Sequence, residues 1–281
     1  CIRMALIGDM NTLQIIRQAD FGVYLDGGPD GDILLPRREM PKDEPCEDED
    51  WLNVFVYLDS EDRIIATTRK PKIKVGEFAS LKVVDINRIG LFLDWGLNKD
   101  LLLPHSEEKR PLQEGDYCVV YAYIDQRTKR ITATARLDRY LDLTPANYTV
   151  GEEVDLLIVE PTDLGFKAII NGKHWGLIHK NEAFKFLRGG MQERGFIREI
   201  RDDGLINLSL QPQGRELRDS LSEAILAKLD ANNGRLPLSD KSPANEIADM
   251  FGVSKGNFKK AIGGLYKHGV IRILPDGIEL V

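Results

Sequence analysis

Aromatic residues next to glycine, on short apolar runs, are the side chains of this sequence best suited to chemistry. The run Phe21-Gly22-Val23-Tyr24-Leu25 recurs as Ile89-Gly90-Leu91-Phe92-Leu93. If each run is a strand, period-two alternation turns Tyr24 and Phe92 outward when Val23 and Leu91 point inward. Outward aromatic faces stack on nucleobases at ~1 to 3 kcal/mol per base while cations and polar groups hold the backbone. Phe21 has the competing option of packing in a core. A second candidate lies near the C-terminus, where Lys255, Lys259 and Lys260 crowd two helical turns. Asn257 is the residue there able to make a bidentate base contact, and simple solvation of the lysines is the competing expectation.

Other chemistries find little support. His105, His174, His179 and His268 form no His-x-x-x-His pair, and the sequence holds neither a phosphate loop nor a Gly-x-Ser-x-Gly elbow. No enzyme is therefore expected. The one catalytic alternative is a metal-dependent nuclease built on Asp43, Glu44, Glu47, Asp48, Glu49 and Asp50, because hard cations prefer carboxylate oxygens. Pro41 and Pro45 break that run, and metal catalysis needs fixed geometry. Cys1, Cys46 and Cys118 lie far apart without a Cys-x-x-Cys pair, which excludes a disulfide framework and a thiolate zinc site. No metal and no cofactor are expected. Met4 is a plausible native start, and Cys1 to Arg3 are set aside as a remnant or the edge of a removed leader.

The 281 residues are 42% hydrophobic and 30% charged, the composition of a water-soluble globular protein. No stretch approaches the ~18 apolar residues of a membrane helix, and no secretory start is present, so a cytoplasmic protein without membrane contact is expected. A net charge of -7 argues against coating duplex DNA by phosphate neutralisation alone. The acid is concentrated early, with 9 Lys and Arg against 15 Asp and Glu in residues 1–72. No heptad pattern is evident, so a monomer is expected.

The elements that position these residues repeat. Leu34-Leu35-Pro36 returns as Leu102-Leu103-Pro104, and Arg63-Ile64-Ile65-Ala66-Thr67 returns as Arg130-Ile131-Thr132-Ala133-Thr134. A more diverged copy reads Leu164-Gly165-Phe166, Gly176-Leu177-Ile178-His179 and Ile206-Asn207-Leu208-Ser209. Within the second copy, strands are expected over Ala79–Asp85, Gly90–Asp94, Leu101–Leu103, Tyr117–Ile124 and Arg130–Ala133. Gly8, Gly76, Gly115 and Gly151 are placed to turn the chain into strands with positive φ. Such strand content predicts a five-stranded OB barrel, which commonly binds single-stranded oligonucleotides.

After Gly214 the period changes. Leu217, Leu221, Ile225 and Leu229 fall four apart, predicting a helix over Glu216–Ala231. A second helix is expected to be capped by Ser242 with Pro243 at its first position, carrying Ile247, Met250 and Phe251 inward. Gly252 allows a tight turn, and a third helix runs from Ser254 to His268 with Phe258, Ile262 and Leu265 inside. A hairpin over Val270–Leu274 and Ile278–Val281 completes a winged helix. The fold class is mainly β with a C-terminal α+β module, and the expected domains are 4–72, 73–146, 147–214 and 215–281.

The Val-Gly-Glu entry, the aromatic-Gly-apolar-aromatic strand, Gly-Leu-Ile-His and the closing Arg-Ile-Thr resemble the RNA-binding repeat named after ribosomal protein S-one. Three such repeats before a winged helix resemble the bacterial conserved virulence factor B family, also called YitL-like. The resemblance covers nearly the whole chain and implies single-stranded RNA as partner and a role in post-transcriptional regulation, virulence genes included. It implies binding roles for Phe21, Tyr24, Asp59 and Arg63 in the first copy. In the second it implies Phe92, with Trp95 close by and Lys129 and Arg130 near the closing strand. In the third it implies His179 and Lys180, with Leu164 and Lys167 where the family has aromatics. Arg63 paired with Asp59, and Arg130 with Asp125, is the competing expectation. The alternative function is a winged-helix DNA-binding regulator contacting DNA or protein through Lys255, Asn257, Lys259 and Lys260, with the barrels as docking modules.

Overall fold

The computed structural model describes residues 4–42, 46–212 and 214–281. Cys1 to Arg3, and Asp43 and Glu44 of the acidic run, lie outside them. The chain divides into two compact units, 1–140 and 141–281.

The first unit holds two barrels of identical topology. The first is built from β1 (Met10–Ala19), β2 (Gly22–Asp26), β3 (Asp32–Pro36), β4 (Trp51–Leu58) and β5 (Ile64–Thr67). The second uses β6 (Phe78–Ile86), β7 (Gly90–Asp94), β8 (Leu101–Pro104), β9 (Tyr117–Ile124) and β10 (Ile131–Thr134). In the first, β1-β2-β3-β5-β4 closes through a parallel β3–β5 pairing and an antiparallel β1–β4 pairing; the second follows the same order. Alternation explains the interiors: Val23, Leu25, Leu91 and Leu93 are buried, while Tyr24 and Phe92 between them are partly exposed. Gly8, Gly76, Gly115 and Gly151 do carry positive φ of 84, 89, 92 and 91° at the strand entries.

Gly22 and Gly90 answer to a different constraint, close approach. A Cβ there would lie 2.2 Å from the Leu35 carbonyl oxygen and 2.3 Å from that of Leu103. Only glycine lets the hairpin strands meet so tightly at the start of the outward aromatic run.

One apolar cluster spans the two barrels of this unit, beside a separate interior of the first barrel around Val23, Leu25 and Leu35. Phe55, Tyr57 and Ile65 of the first barrel pack with Ile73 and the interior of the second. Trp95 sits among them, edge-on to Phe55 at 5.7 Å and to Tyr57 at 6.3 Å. Its indole N–H donates to the Lys99 carbonyl.

The second unit opens with a third barrel: β11 (Glu153–Pro161), β12 (Gly165–Ile170), β13 (His174–His179), β14 (Gln192–Ile200) and β15 (Ile206–Ser209), again closed in the order β11-β12-β13-β15-β14. A glutamate recurs at the same register in all three barrels, buried in the first and third and partly buried in the second. Glu39 accepts from the Thr67 hydroxyl at 2.7 Å, Glu107 from Thr134 at 2.6 Å and Glu182 from Ser209 at 2.8 Å. Each ties the turn after the third strand to the end of the fifth.

The winged helix comprises α1 (Arg215–Ala231), β16 (Arg235–Leu236), α2 (Ala244–Phe251), α3 (Lys255–Lys267), β17 (Ile271–Leu274) and β18 (Gly277–Leu280). Leu221, Ile225 and Leu229 bury against Ile247, Phe258, Ile262 and Leu265. Ser254 caps α3, accepting the Asn257 N–H, and Gly252 closes α2 in the left-handed conformation. The expected Ser242 cap is corrected: Pro243 occupies the N-cap of α2, and the Ser242 hydroxyl instead accepts the Ser239 N–H, closing its own turn. The two-residue β16, flanked by Pro237, adds a third strand to the wing in the order β16-β18-β17. None of the described helices is long and apolar enough to cross a membrane.

Candidate nucleic-acid interface

Strand register places equivalent residues on the corresponding outer face of each of the three barrels. Before the second strand of each barrel stands an exposed apolar residue: Phe21, Ile89 or Leu164, at 57, 57 and 62% exposure. Phe21 therefore does not pack in the core. Two residues into that strand come Tyr24, Phe92 and Lys167, directly opposite Leu34, Leu102 and Leu177 of the third strand. Behind these lie Ile65, Thr132 and Asn207 of the fifth strand. Pro36, Pro104 and His179 occupy one register position, opposite Gly22, Gly90 and Gly165.

The first barrel presents an aromatic platform here. The rings of Phe21 and Tyr24 meet edge to face at 6.2 Å. The Arg17 guanidinium lies 3.6 Å over the Tyr24 ring and pairs with Asp32 at 3.4 Å. Arg17 escaped the sequence reading because a bulge between Ile15 and Arg17 shifts the β1–β2 pairing by a residue. At the far end of the barrel, Asp59 accepts the backbone N–H groups of Glu61 and Arg63 and the Arg63 guanidinium at 2.8 Å. The Arg63–Asp59 pairing therefore forms, with Glu61 as a further partner at 3.0 Å.

The second barrel faces a groove of about 600 Å³ lined by Ile89, Phe92, Leu102, Pro104, Lys99 and Asp100, with Asp125, Arg127 and Arg130 also on its wall. Burial pushes the Lys99 ammonium pKa down, and its Nζ donates to the Asp59 carbonyl at 2.6 Å. Two sequence expectations are corrected here. Trp95 is only 3% exposed, so its ring is committed to the shared core and offers no face to a base. Arg130 pairs bidentately with Asp62 of the first barrel at 2.7 and 2.6 Å, not with Asp125. Asp125 is used up as the turn acceptor for the Arg127 and Thr128 N–H groups. Lys129 holds the left-handed φ of 61° in that turn, with its ammonium near the Gln126 amide oxygen at 3.4 Å.

In the third barrel the Lys167 ammonium lies 3.8 Å over the Trp175 ring. Trp175 was overlooked, although alternation back from His179 places it on the same face. His179 Nε2 lies 3.0 Å from Asn207 Oδ1. That oxygen accepts, so Nε2 is the donor in this contact. Lys180 beside it is exposed.

On α3, Lys259 and Lys260 are exposed and Lys255 half-buried. Asn257, expected as the base reader of this helix, donates its Nδ2 to the Gln211 side-chain oxygen at 3.0 Å. Gln211 also donates to the Gly252 carbonyl at 2.8 Å and accepts the Ser254 N–H. The amide between barrel and helix therefore occupies the start of α3. In the acidic run, the Asp50 carboxylate accepts the Glu47 N–H at 2.8 Å. Among the described residues, no cluster of three metal-ligating side chains forms.

The chain is similar to known proteins. A CvfB-like winged helix domain matches residues 223–280, and an S1 domain matches residues 7–69 and 75–136. YitL of Bacillus subtilis is 34% identical over 277 residues, covering 94% of this chain and 90% of the relative. Conserved virulence factor B of Staphylococcus haemolyticus is 27% identical over 283 residues, covering 98% and 94%. A solved multidomain protein with nucleic acid binding domains from Streptococcus pneumoniae covers 98% of both chains at 25% identity, with a TM-score of 0.42.

Proposed function

The chain belongs to the family of YitL and conserved virulence factor B, built from S1 and winged-helix nucleic-acid-binding domains, and from that premise we propose that it grips single-stranded RNA on its barrels. The observation that carries the reading is the platform of Phe21, Tyr24 and Arg17 on the first barrel. A guanidinium stacked on an aromatic ring offers a flat, cationic surface suited to a base and its phosphate together. Phe92 and Ile89 extend that apolar face on the second barrel. Phosphate contacts fall to Lys129, Lys167 and Lys180, with His179 beside them on the third barrel, while Arg63 and Arg130 are held by their carboxylate partners. Sequence preference is weak, because every base has a π-face.

The working domains are 4–72, 73–146, 147–214 and 215–281, and the protein acts as a cytoplasmic monomer in post-transcriptional regulation. The printed name of its relatives, conserved virulence factor B, supports virulence genes among the targets. The winged helix plays a supporting part, since Lys255, Lys259 and Lys260 suit phosphate while Asn257 is already engaged. A duplex-DNA regulator reading through α3 would need base-contacting side chains that this helix lacks.

Fluorescence anisotropy of labelled single-stranded RNA, single-stranded DNA and duplex DNA of equal length, across a salt series, tests the proposal. Single-stranded RNA is expected to bind tightest, with a shallow log-log salt slope of about -2 from a few phosphate contacts. A steep slope with duplex preference, abolished by removing residues 215–281, would instead favour the DNA regulator.

A further inference from the structure

The second barrel differs from its neighbours at one outward position. Leu101 is buried, so alternation puts Asp100 and Leu102 on the outer face, and Leu102 is directly opposite Phe92. Asp100 is thus a diagonal neighbour of the Phe92 ring, at the ~7 to 8 Å that such pairs span. Both residues line the same groove. The equivalent position in the first barrel is Asp32, which Arg17 neutralises. In the third it is Trp175, which lies under Lys167.

In the second barrel the place of Arg17 is taken by Asp85, since Asp85 pairs with Phe92 as Arg17 pairs with Tyr24. Asp100 consequently lacks a cation. Its strand neighbour Asp94 is taken by Lys72 and by the Gly96 N–H, yet Asp100 has no hydrogen-bond or ion-pair partner among the described residues. Burial, with Asp94 and Asp85 nearby, pushes its pKa up. A half-buried carboxylate without donors favours a ligand that brings N–H groups.

We propose that Asp100 is a base-selecting residue of this groove, its two oxygens accepting N1–H and N2–H from a guanine of single-stranded RNA stacked on Phe92. Guanine alone among the bases presents two adjacent donors on its Watson–Crick edge. Uracil presents one N–H between two carbonyls, and adenine and cytosine set a single amine beside a ring acceptor. Arg127, exposed on the same groove, meets a flanking phosphate. The inference rests on the single-strand reading above and adds a base preference to it.

The test uses the full chain with short labelled oligouridylates carrying one central guanosine, adenosine or cytidine, or none. The guanosine strand is expected to bind about tenfold tighter than the all-uridine strand, the scale of one good bidentate base contact. Asp100→Asn is expected to abolish that preference while binding the all-uridine strand at least as well, and Phe92→Ala to weaken every strand. Asp100→Asn removes a charge that burial already disfavours, so an unchanged melting temperature is expected, which separates lost recognition from lost folding. Guanosine preference that survives Asp100→Asn, or no preference in the native protein, would overturn the assignment. Free GMP binding as tightly as the guanosine strand would overturn the assignment to a strand. Failure to bind any oligonucleotide would instead overturn the reading on which it rests.

Discussion

Simultaneous replacement of Phe21, Tyr24 and Phe92 by alanine is expected to weaken single-stranded RNA binding about a hundredfold or more. Three stacked bases at the low end of ~1 kcal/mol each give that factor. The fold is expected to survive. Phe21 is 57% exposed, and Tyr24 and Phe92 lie on the outer face with their buried neighbours Val23, Leu25, Leu91 and Leu93 untouched. The loss is expected to appear with little change in the salt slope, because stacking releases no counterions. Affinity retained in the triple variant, with its circular dichroism intact, would remove the barrels' outer face from the binding site. A loss accompanied by a flattened slope would point instead to displaced cations, Arg17 first among them.

The second large effect concerns stability. Trp95→Ala is expected to destabilise the first unit by about 3 to 5 kcal/mol, the usual cost of emptying a large aromatic site from a packed core. Trp95 joins Phe55 and Tyr57 of the first barrel to the interior of the second, so the cost is expected to fall on both barrels together. Hydrogen exchange of the full chain measures this directly. Protection is expected to fall jointly in β4, β5, β7 and β8, whereas loss confined to β7 and β8 would show that the shared core does not couple the barrels. Rigid coupling matters for binding, because it fixes the Tyr24 and Phe92 faces within one body and lowers the ordering cost of a strand that touches both.

The architecture was legible because the barrels repeat, about 68 positions apart and then 75, and their strands alternate. The β7 and β9 boundaries, Gly90–Asp94 and Tyr117–Ile124, coincide with the expected ones. The outward turn of Tyr24 and Phe92 followed from the same alternation. What stayed hidden depends on contacts between distant segments. Trp95 reads as an accessible aromatic until the first barrel closes over it. Arg130 finds Asp62, 68 positions earlier, because the two barrels meet, and no local pattern encodes that meeting. Asn257 is claimed by Gln211 across 46 positions. The glutamates at 39, 107 and 182 share the repeat offsets and were within reach of the sequence, but a carboxylate reads as surface until its Thr or Ser partner is known. The cap of α2 was misplaced by a residue because Ser242 satisfies Ser239 in a turn of its own.

Ultraviolet cross-linking of the full chain to single-stranded RNA, read out by peptide mass spectrometry, tests the central claim most directly, since stacked aromatic side chains cross-link to the bases they touch. Adducts are expected on peptides containing Phe21 and Tyr24, and on those containing Phe92. Adducts confined to the α3 peptide carrying Lys255, Lys259 and Lys260, with none on either barrel face, would contradict it.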